Sequence, residues 1–166
     1  MTLASTTMTS KRTVLFAFVV LLLLVTAFIV SNSFFQLVMV DGPSMEPSLH
    51  NNQIVLLNRR HTELSRGDII VFVSEKAGNT LIKRIAGLPG DVLIIEDGTL
   101  LINGERSPYW EEQSISYAGK LECAYSVPEG CCFVLGDNTA ESVDSRDDTI
   151  GDVLIDSVLG VVLGVE

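Results

Sequence analysis

The sequence predicts a mainly β protein, with a single N-terminal transmembrane helix followed by a compact antiparallel β-sheet or barrel-like domain. An uncharged, largely apolar segment runs from Thr13 to Val40. Short runs rich in Val and Ile, separated by Gly, Pro and Asn, fill most of the remaining chain, and such runs are typical of compact all-β domains. At 166 residues, the chain has room for one modest domain and one anchor.

The apolar segment divides the chain into three predicted parts. Residues 1–12 form a short N-terminus, in which we expect disorder over the polar residues 1–10. Residues 13–33 form the transmembrane helix, and residues 34–166 form the β-rich domain. The uncharged segment would be about 42 Å long as a helix, against a hydrocarbon core of about 30 Å. Because every backbone polar group in lipid must be bonded internally, a helix is the structure that fits.

Two cations set the predicted orientation. Lys11 and Arg12 precede the apolar segment, so the N-terminus is expected in the cytoplasm and the domain outside, at the plasma membrane. A buried core helix is an alternative, but it would rarely be so apolar on all sides. A cleaved signal peptide would fit the small residues Ser31-Asn32-Ser33, yet the apolar run exceeds the usual length of about 7–15 residues. An uncleaved, single-pass anchor is favoured.

The domain is acidic. It holds nine of the 11 basic residues and all 21 acidic ones, a net charge of −12. Nucleic-acid binding needs a basic footprint, so nucleic acid is excluded as a partner. The same charge argues against an electrostatic grip on anionic lipid, so contact with membrane lipid is assigned to the anchor.

The elements of the domain follow from apolar runs and turn signals. We predict strands at residues 53–57, 68–73, 80–85, 91–95, 99–102, 131–135, 153–155 and 161–163. Glu96-Asp97-Gly98 separates two of them as a hairpin turn. Residues 104–130 are polar, with scattered aromatic residues, and are expected to form an excursion or flap outside the core.

The first candidate site is the stretch from Asp41 to Leu49, where charge returns after the apolar segment. Ser44 lies between a Gly-Pro pair and Met45-Glu46-Pro47. Glycine permits unusual backbone angles and proline restricts φ, so a rigid turn is expected instead of a helix. Such a turn can hold a hydroxyl at a fixed angle near the outer membrane surface. Taken alone, the stretch fits a plain linker better.

The second candidate is Lys83, which lies in the apolar run Leu81–Ile85. Alternation in a strand places Leu81, Lys83 and Ile85 on one face. A buried lysine has a lowered pKa and can serve as a base near neutral pH. An edge strand whose cations reach solvent is the simpler interpretation of this run alone.

The third candidate is the polar loop from Gly136 to Gly151, rich in hydroxyl and carboxylate side chains. A polar turn is the simplest interpretation. Asp144 and Asp148 do not fit the spacing of a calcium loop, and no His/Cys group has metal-ligand spacing. We therefore predict neither a metal nor a cofactor. Cys123 could pair with Cys131 or Cys132 outside the cytoplasm, or all three could stay reduced.

Four blocks in order resemble the bacterial type I signal peptidases. They are Ser44-Met45-x-Pro47-Ser48-Leu49, Arg66-Gly67-Asp68-Ile69-Ile70-Val71-Phe72, Lys83-Arg84-Ile85-Ala86-Gly87-Leu88-Pro89-Gly90-Asp91, and Gly136-Asp137-Asn138 with Ser142-Val143-Asp144-Ser145-Arg146. The resemblance covers the anchor and nearly all of residues 34–163. It implies a catalytic domain in which Ser44 is the nucleophile and Lys83 is the general base of a Ser-Lys dyad.

The resemblance also implies supporting roles. Ser142 would orient the lysine ammonium group, while Asp144 and Arg146 would form a structural pair. The oxyanion hole would use the Ser44 amide, but Gly42 stands where some members of the family supply a serine hydroxyl. Thr139 stands where the family usually has arginine, so another group must brace that loop. Because the lysine block is intact, neither His50 nor His61 is predicted to be the base.

The function implied is a membrane-anchored serine endopeptidase that removes signal peptides with small residues at −1 and −3 from exported preproteins, near the export translocon. A dedicated peptidase for a few substrates would have the same sequence features. A self-cleaving repressor-type protease shares the dyad, but it would need a DNA-binding region. A non-catalytic, membrane-anchored β module remains the alternative without chemistry.

Overall fold

The computed structural model describes residues 4–60 and 63–165, so His61 lies outside the described residues. The chain begins with helix α1, Ala4–Phe34. Within α1, Lys11–Phe28 has a mean hydropathy of 2.1 and is long and apolar enough to cross a membrane. The expectation of disorder is wrong for residues 4–10, because a helix nucleated by the long apolar segment continues toward the N-terminus.

The remaining chain forms a second compact unit, Gln36–Glu166, which is mainly β. Its strands are β1 Phe35–Met39, β2 Ile54–Asn58, β3 Ile69–Ser74, β4 Asn79–Gly87, β5 Val92–Glu96, β6 Thr99–Ile102, β7 Glu105–Arg106, β8 Tyr125–Ser126, β9 Cys131–Leu135, β10 Val153–Leu154 and β11 Val158–Leu163. Two short 3-10 helices, Gly119–Glu122 and Ile155–Ser157, join them. The predicted class, a mainly β antiparallel domain after one apolar helix, is confirmed.

The strands form two sheets. The larger has the order β1-β2-β11-β3-β4-β9-β10, and the smaller has the order β7-β6-β5-β8. Strand β4 therefore lies inside the larger sheet, paired with β3 and β9, and every residue from Ile82 to Gly87 is buried. Lys83 pairs with Ile70 of β3 and is 4% exposed, so its cation does not reach solvent as the edge-strand interpretation required.

Most predicted strands are found within one or two residues of their expected bounds. The hairpin at Glu96-Asp97-Gly98 joins β5 to β6, with positive φ at Asp97 and Gly98. Strand β1 was not predicted, because its apolar residues continue the composition of the helix before it.

The segment 104–130 corrects one prediction. Instead of lying outside the core, it buries four large apolar side chains against the smaller sheet: Trp110, Ile115, Leu121 and Val127. A small sheet exposes an apolar face unless another segment covers it, and this segment supplies the cover. Tyr109 and Tyr117 remain exposed, as expected for a polar excursion.

Candidate active site

The turn that carries Ser44 is built into the domain and is not a free linker. Met45 and Leu49 are fully buried on either side of it and pack with β2, β3 and β11 residues. At its start, Gly42 has a φ of 89°, and its amide donates to Asn51 Oδ1 at 3.0 Å. Because a positive φ is costly for other residues, glycine is favoured at this corner.

Lys83 reaches Ser44 from the middle of β4. Its Nζ lies 2.7 Å from Ser44 Oγ, and the lysine is 4% exposed. Burial lowers the pKa of Lys83 below its ordinary value, while the carboxylates of Asp144 and Asp137 oppose part of this shift. A neutral amine in contact with a hydroxyl is the arrangement that general-base activation of a nucleophile needs.

Arg84, the next residue of β4, joins two loops of the site. Its guanidinium binds both carboxylate oxygens of Asp137, at 2.8 and 2.7 Å. It also donates to Gly67 O at 2.7 Å and to Ser48 Oγ at 3.1 Å. The turn of Ser44 and the loop after β9 are thereby held against the strand that carries Lys83.

The loop after β9 passes close to Ser44. At Gly136 there is no space for a side chain, since an added Cβ would overlap Ser142 Oγ and the Ser44 carbonyl oxygen. The Asn138 amide donates to that same carbonyl at 3.1 Å. The Ser142 hydroxyl is buried, and within the described ranges no group forms a hydrogen bond with it.

Asp144 and Arg146 form a buried ion pair beneath this loop. The guanidinium binds both carboxylate oxygens, at 2.8 and 2.9 Å, and the two side chains are 0% and 1% exposed. Asp144 also accepts the Gly136 amide at 3.1 Å. Further donations from Arg146 reach the carbonyls of Tyr117, Thr139 and Ser142. The pair therefore connects three parts of the loop.

An open cleft adjoins the contact between Ser44 and Lys83. It has a volume of about 380 Å³, and its walls come from residues 38–44, residues 79–83 and Val71. One wall continues β1 and the other is the first half of β4. The cleft is thus bordered on one side by the end of β1 and the turn after it, and on the other by the first half of β4, and Ser44 and Lys83 lie along it.

The predicted site residues thus lie around one point, with Gly42 and Ser44 on the turn, Lys83 on β4, and Ser142, Asp144 and Arg146 on the loop after β9. Several contributors were not predicted as site residues, among them Arg84 and Asn138, described above, Asp137, and Gln113, which donates to Asp137 O at 2.7 Å. Asp137, whose carboxylate pairs with Arg84, stood in the quoted Gly-Asp-Asn block. Gln113 had no sequence signal, because it lies in a polar segment without periodicity. Cys123, Cys131 and Cys132 are free thiols in the structure.

The sequence model of the family described as signal peptidase, peptidase S26, matches residues 11–165. A signal peptidase I of Bacillus licheniformis is 34% identical over 83% of this chain and 81% of its own length. Signal peptidase I T of Bacillus subtilis is 33% identical, over 81% and 75% respectively. A crystal structure of a signal peptidase I from Enterococcus faecalis aligns with a TM-score of 0.48 and 34% identity, over 60% of this chain and 97% of that one.

These matches define the class of protein as a serine endopeptidase. The family match covers nearly the whole chain, and the relatives are more than 30% identical over most of it. The chain belongs to the signal peptidase family, peptidase S26, which confirms the resemblance drawn from the four sequence blocks.

Proposed function

We propose that this chain is a membrane-anchored endopeptidase that removes signal peptides from exported preproteins with a Ser44–Lys83 dyad. The observation that carries the proposal is the 2.7 Å contact between Ser44 Oγ and a lysine amine buried in the domain. Relatives over most of the chain are signal peptidases I, and this supports the same substrate class here.

The reaction is acyl transfer in two stages. Neutral Lys83 accepts the Ser44 proton while Oγ bonds to the scissile carbonyl carbon, whose oxygen takes the displaced electron pair. When this intermediate collapses, the C–N bond breaks, and the Lys83 ammonium group donates its proton to the leaving amine. Water then attacks the acyl-enzyme and gives a proton to Lys83. The ester bond breaks, and Ser44 recovers its proton.

The oxyanion formed in each stage needs a donor aimed at it. We assign this role to the Ser44 backbone amide, which donates to no group within the described residues. Gly42 has no hydroxyl to add, and its own amide is occupied by Asn51. Its proposed part is therefore support of the turn. We assign to Ser142, whose buried hydroxyl has no hydrogen-bond partner within the described residues, the role of orienting the lysine ammonium group. We assign to Asp144 and Arg146 the role of holding the loop.

The cleft supports binding of an extended peptide. A chain laid between residues 38–42 and 79–83 would have backbone partners available on both sides, as in strand addition to a sheet. We include in the proposal the preference for small residues at −1 and −3 that the family resemblance implies, because relatives over most of the chain are signal peptidases I.

The proposed organisation is a cytoplasmic segment over residues 1–12, a membrane-spanning part over residues 13–33 and an extracytoplasmic peptidase domain over residues 34–166. The apolar window Lys11–Phe28 supports the anchor, and Lys11 with Arg12 supports the orientation. A substrate arriving from the export translocon is held in the membrane by its own apolar segment. Anchoring of the enzyme in plasma-membrane lipid would bring the cleavage site and Ser44 to the same surface.

The test uses the full chain in detergent and a preprotein with an Ala-x-Ala site. We expect wild type to cleave at that site, and Ser44→Ala and Lys83→Met to lose cleavage while they stay folded. Ser65→Ala, which changes an exposed hydroxyl, is the matched control. If Ser44→Ala or Lys83→Met cleaves as well as wild type, the dyad is wrong and the non-catalytic β module becomes the better interpretation. A panel of preproteins separates a general peptidase from one dedicated to a few substrates.

A further inference from the structure

One amide side chain outside the four sequence blocks holds the loop beside Ser44. Gln113 is half-buried in the irregular segment between β7 and the first 3-10 helix. Its Nε2 donates to Asp137 O at 2.7 Å, and its Oε1 accepts from Thr139 Oγ1 at 3.1 Å. Both ends of the amide are thus used, on the two residues that flank Asn138.

Asn138 transmits this attachment to the nucleophile turn. Its backbone amide donates to Ser44 O at 3.1 Å, and its side-chain Nδ2 donates to Pro43 O at 3.3 Å. The path from Gln113 to the backbone of Ser44 is therefore continuous through covalent bonds and hydrogen bonds. A shift of Asn138 would move the carbonyl of the residue whose hydroxyl attacks the substrate.

Thr139 shows how this chain fills a position where the resemblance leads us to expect arginine. The threonine is buried, its hydroxyl donates to Gln113, and its carbonyl accepts from Arg146 Nη2 at 3.0 Å. The short threonine side chain donates to Gln113, and the longer glutamine side chain in turn donates to the backbone of Asp137. The loop is thus braced by a neutral pair.

A second contact from the same segment also holds the loop after β9. Trp110, 2% exposed in the core, donates from Nε1 to Gly136 O at 3.1 Å. The segment is therefore anchored by Trp110 before it presents Gln113. Because Trp110 holds this segment in place, Gln113 loses less conformational entropy when it forms its two hydrogen bonds. Gln113 is therefore well suited to hold the loop in place.

We propose that Gln113, acting through Thr139 and Asn138, is a positioning residue for the Ser44 nucleophile. The proposal rests on the function proposed above. Gln113 does not line the cleft beside Ser44 and Lys83; it lines a separate cleft with residues 46–48 and Asn138. Its removal should therefore leave substrate binding in the cleft beside Ser44 unchanged. It should lower the rate of chemistry, because small displacements of a reacting group cost large factors in rate.

The test compares Gln113→Ala, Thr139→Val, Thr139→Ser and the double variant Gln113→Ala/Thr139→Val in full-length protein cleaving a signal-peptide substrate. We expect Gln113→Ala to lower kcat about tenfold, with KM within about twofold of wild type. Thr139→Val should lower kcat less, and Thr139→Ser, which keeps the hydroxyl, should restore it. Because the two residues share one hydrogen bond, the double variant should be no slower than Gln113→Ala. Ser116→Ala, an exposed change in the same segment, is the control.

Ser44→Ala is included so that two failures can be told apart. If Ser44→Ala keeps wild-type cleavage, the proposed function itself is wrong. If Ser44→Ala is inactive but Gln113→Ala keeps wild-type kcat, the positioning role is wrong. A rise in KM at unchanged kcat would also overturn the positioning role. So would a double variant whose loss in kcat equals the product of the losses of Gln113→Ala and Thr139→Val.

Discussion

Ser44 and Lys83 are 39 residues apart in the sequence, yet Ser44 Oγ and Lys83 Nζ lie 2.7 Å apart in the structure. One group lies on a turn after β1 and the other lies inside the larger sheet. Only the tertiary fold brings them together, and it does so where the lysine is almost fully buried. This burial lowers the pKa of Lys83, as the proposed reaction requires.

The first prediction concerns the pH dependence of cleavage. Burial lowers the pKa of Lys83 from 10.5, and a protonated lysine cannot accept the Ser44 proton. The kcat/KM value should therefore fall about tenfold per pH unit below the lowered pKa and level off above it. The midpoint of this acid limb should lie well below pH 10.5, and a pH series of initial cleavage rates would measure it.

Histidine variants are the control for this profile, because histidine also titrates near neutral pH. His50→Gln and His61→Gln should leave the acid limb in place. His50 is exposed. An acid limb that disappears with either histidine would show that the profile does not report Lys83.

The second prediction is that Lys83→Met stabilises the protein most at low pH. With a lowered pKa, the folded protein binds fewer protons than the unfolded chain between that pKa and 10.5. Wild-type stability therefore falls as pH decreases through this window, and below it Lys83 causes no further change of stability with pH. The variant lacks this loss, so its advantage in Tm should grow as the pH is lowered and then stay constant.

Thermal unfolding in detergent at several pH values measures the difference between the two proteins. Lys76→Met is the matched control, because Lys76 is an exposed lysine. A Tm difference for Lys83→Met that is the same from pH 10.5 down to neutral pH would contradict the lowered pKa.

The third prediction concerns the ion pair between Asp144 and Arg146. Removing one partner of a buried pair leaves an uncompensated charge, at a cost of about 3–5 kcal/mol. Arg146→Met should therefore be strongly destabilising, and it should also abolish cleavage, since Arg146 holds the Thr139 and Ser142 carbonyls. Asp144→Asn/Arg146→Met should be more stable than Arg146→Met alone. Equal or greater destabilisation of the double variant would show that the unpaired charge is not the cause.

Much of the fold could be predicted because strands and helix carry local signals. The apolar helix and most strands followed from hydropathy and turn residues. Whether the Lys83 side chain is buried or reaches solvent could not be decided in this way, since both fit the run Leu81–Ile85. Strand order depends on pairings between distant segments, and alternation within one strand does not encode it.

The site was predictable where its residues fall in recognisable blocks. Ser44, Lys83, Ser142, Asp144 and Arg146 could be named from the sequence, and the structure places them around one point. Gln113 could not be named, because its two hydrogen bonds depend on how residues 104–130 pack against the smaller sheet. The burial of Trp110 could not be predicted for the same reason, since its neighbours in sequence are polar.

The last prediction isolates the close approach at Gly136. A methyl group at this position would overlap Ser142 Oγ and the Ser44 carbonyl oxygen. Because backbone atoms of the nucleophile cannot move aside without changing the site, Gly136→Ala should reduce kcat by at least about 100-fold. Gly104→Ala is the matched control, since it has a positive φ but open space around an added Cβ. It should cost about 1–2 kcal/mol of stability and leave cleavage unchanged. Comparison of kcat and Tm for the two variants separates steric overlap at the nucleophile from general backbone strain, and a Gly136→Ala enzyme with wild-type kcat would show that the loop does not confine Ser44.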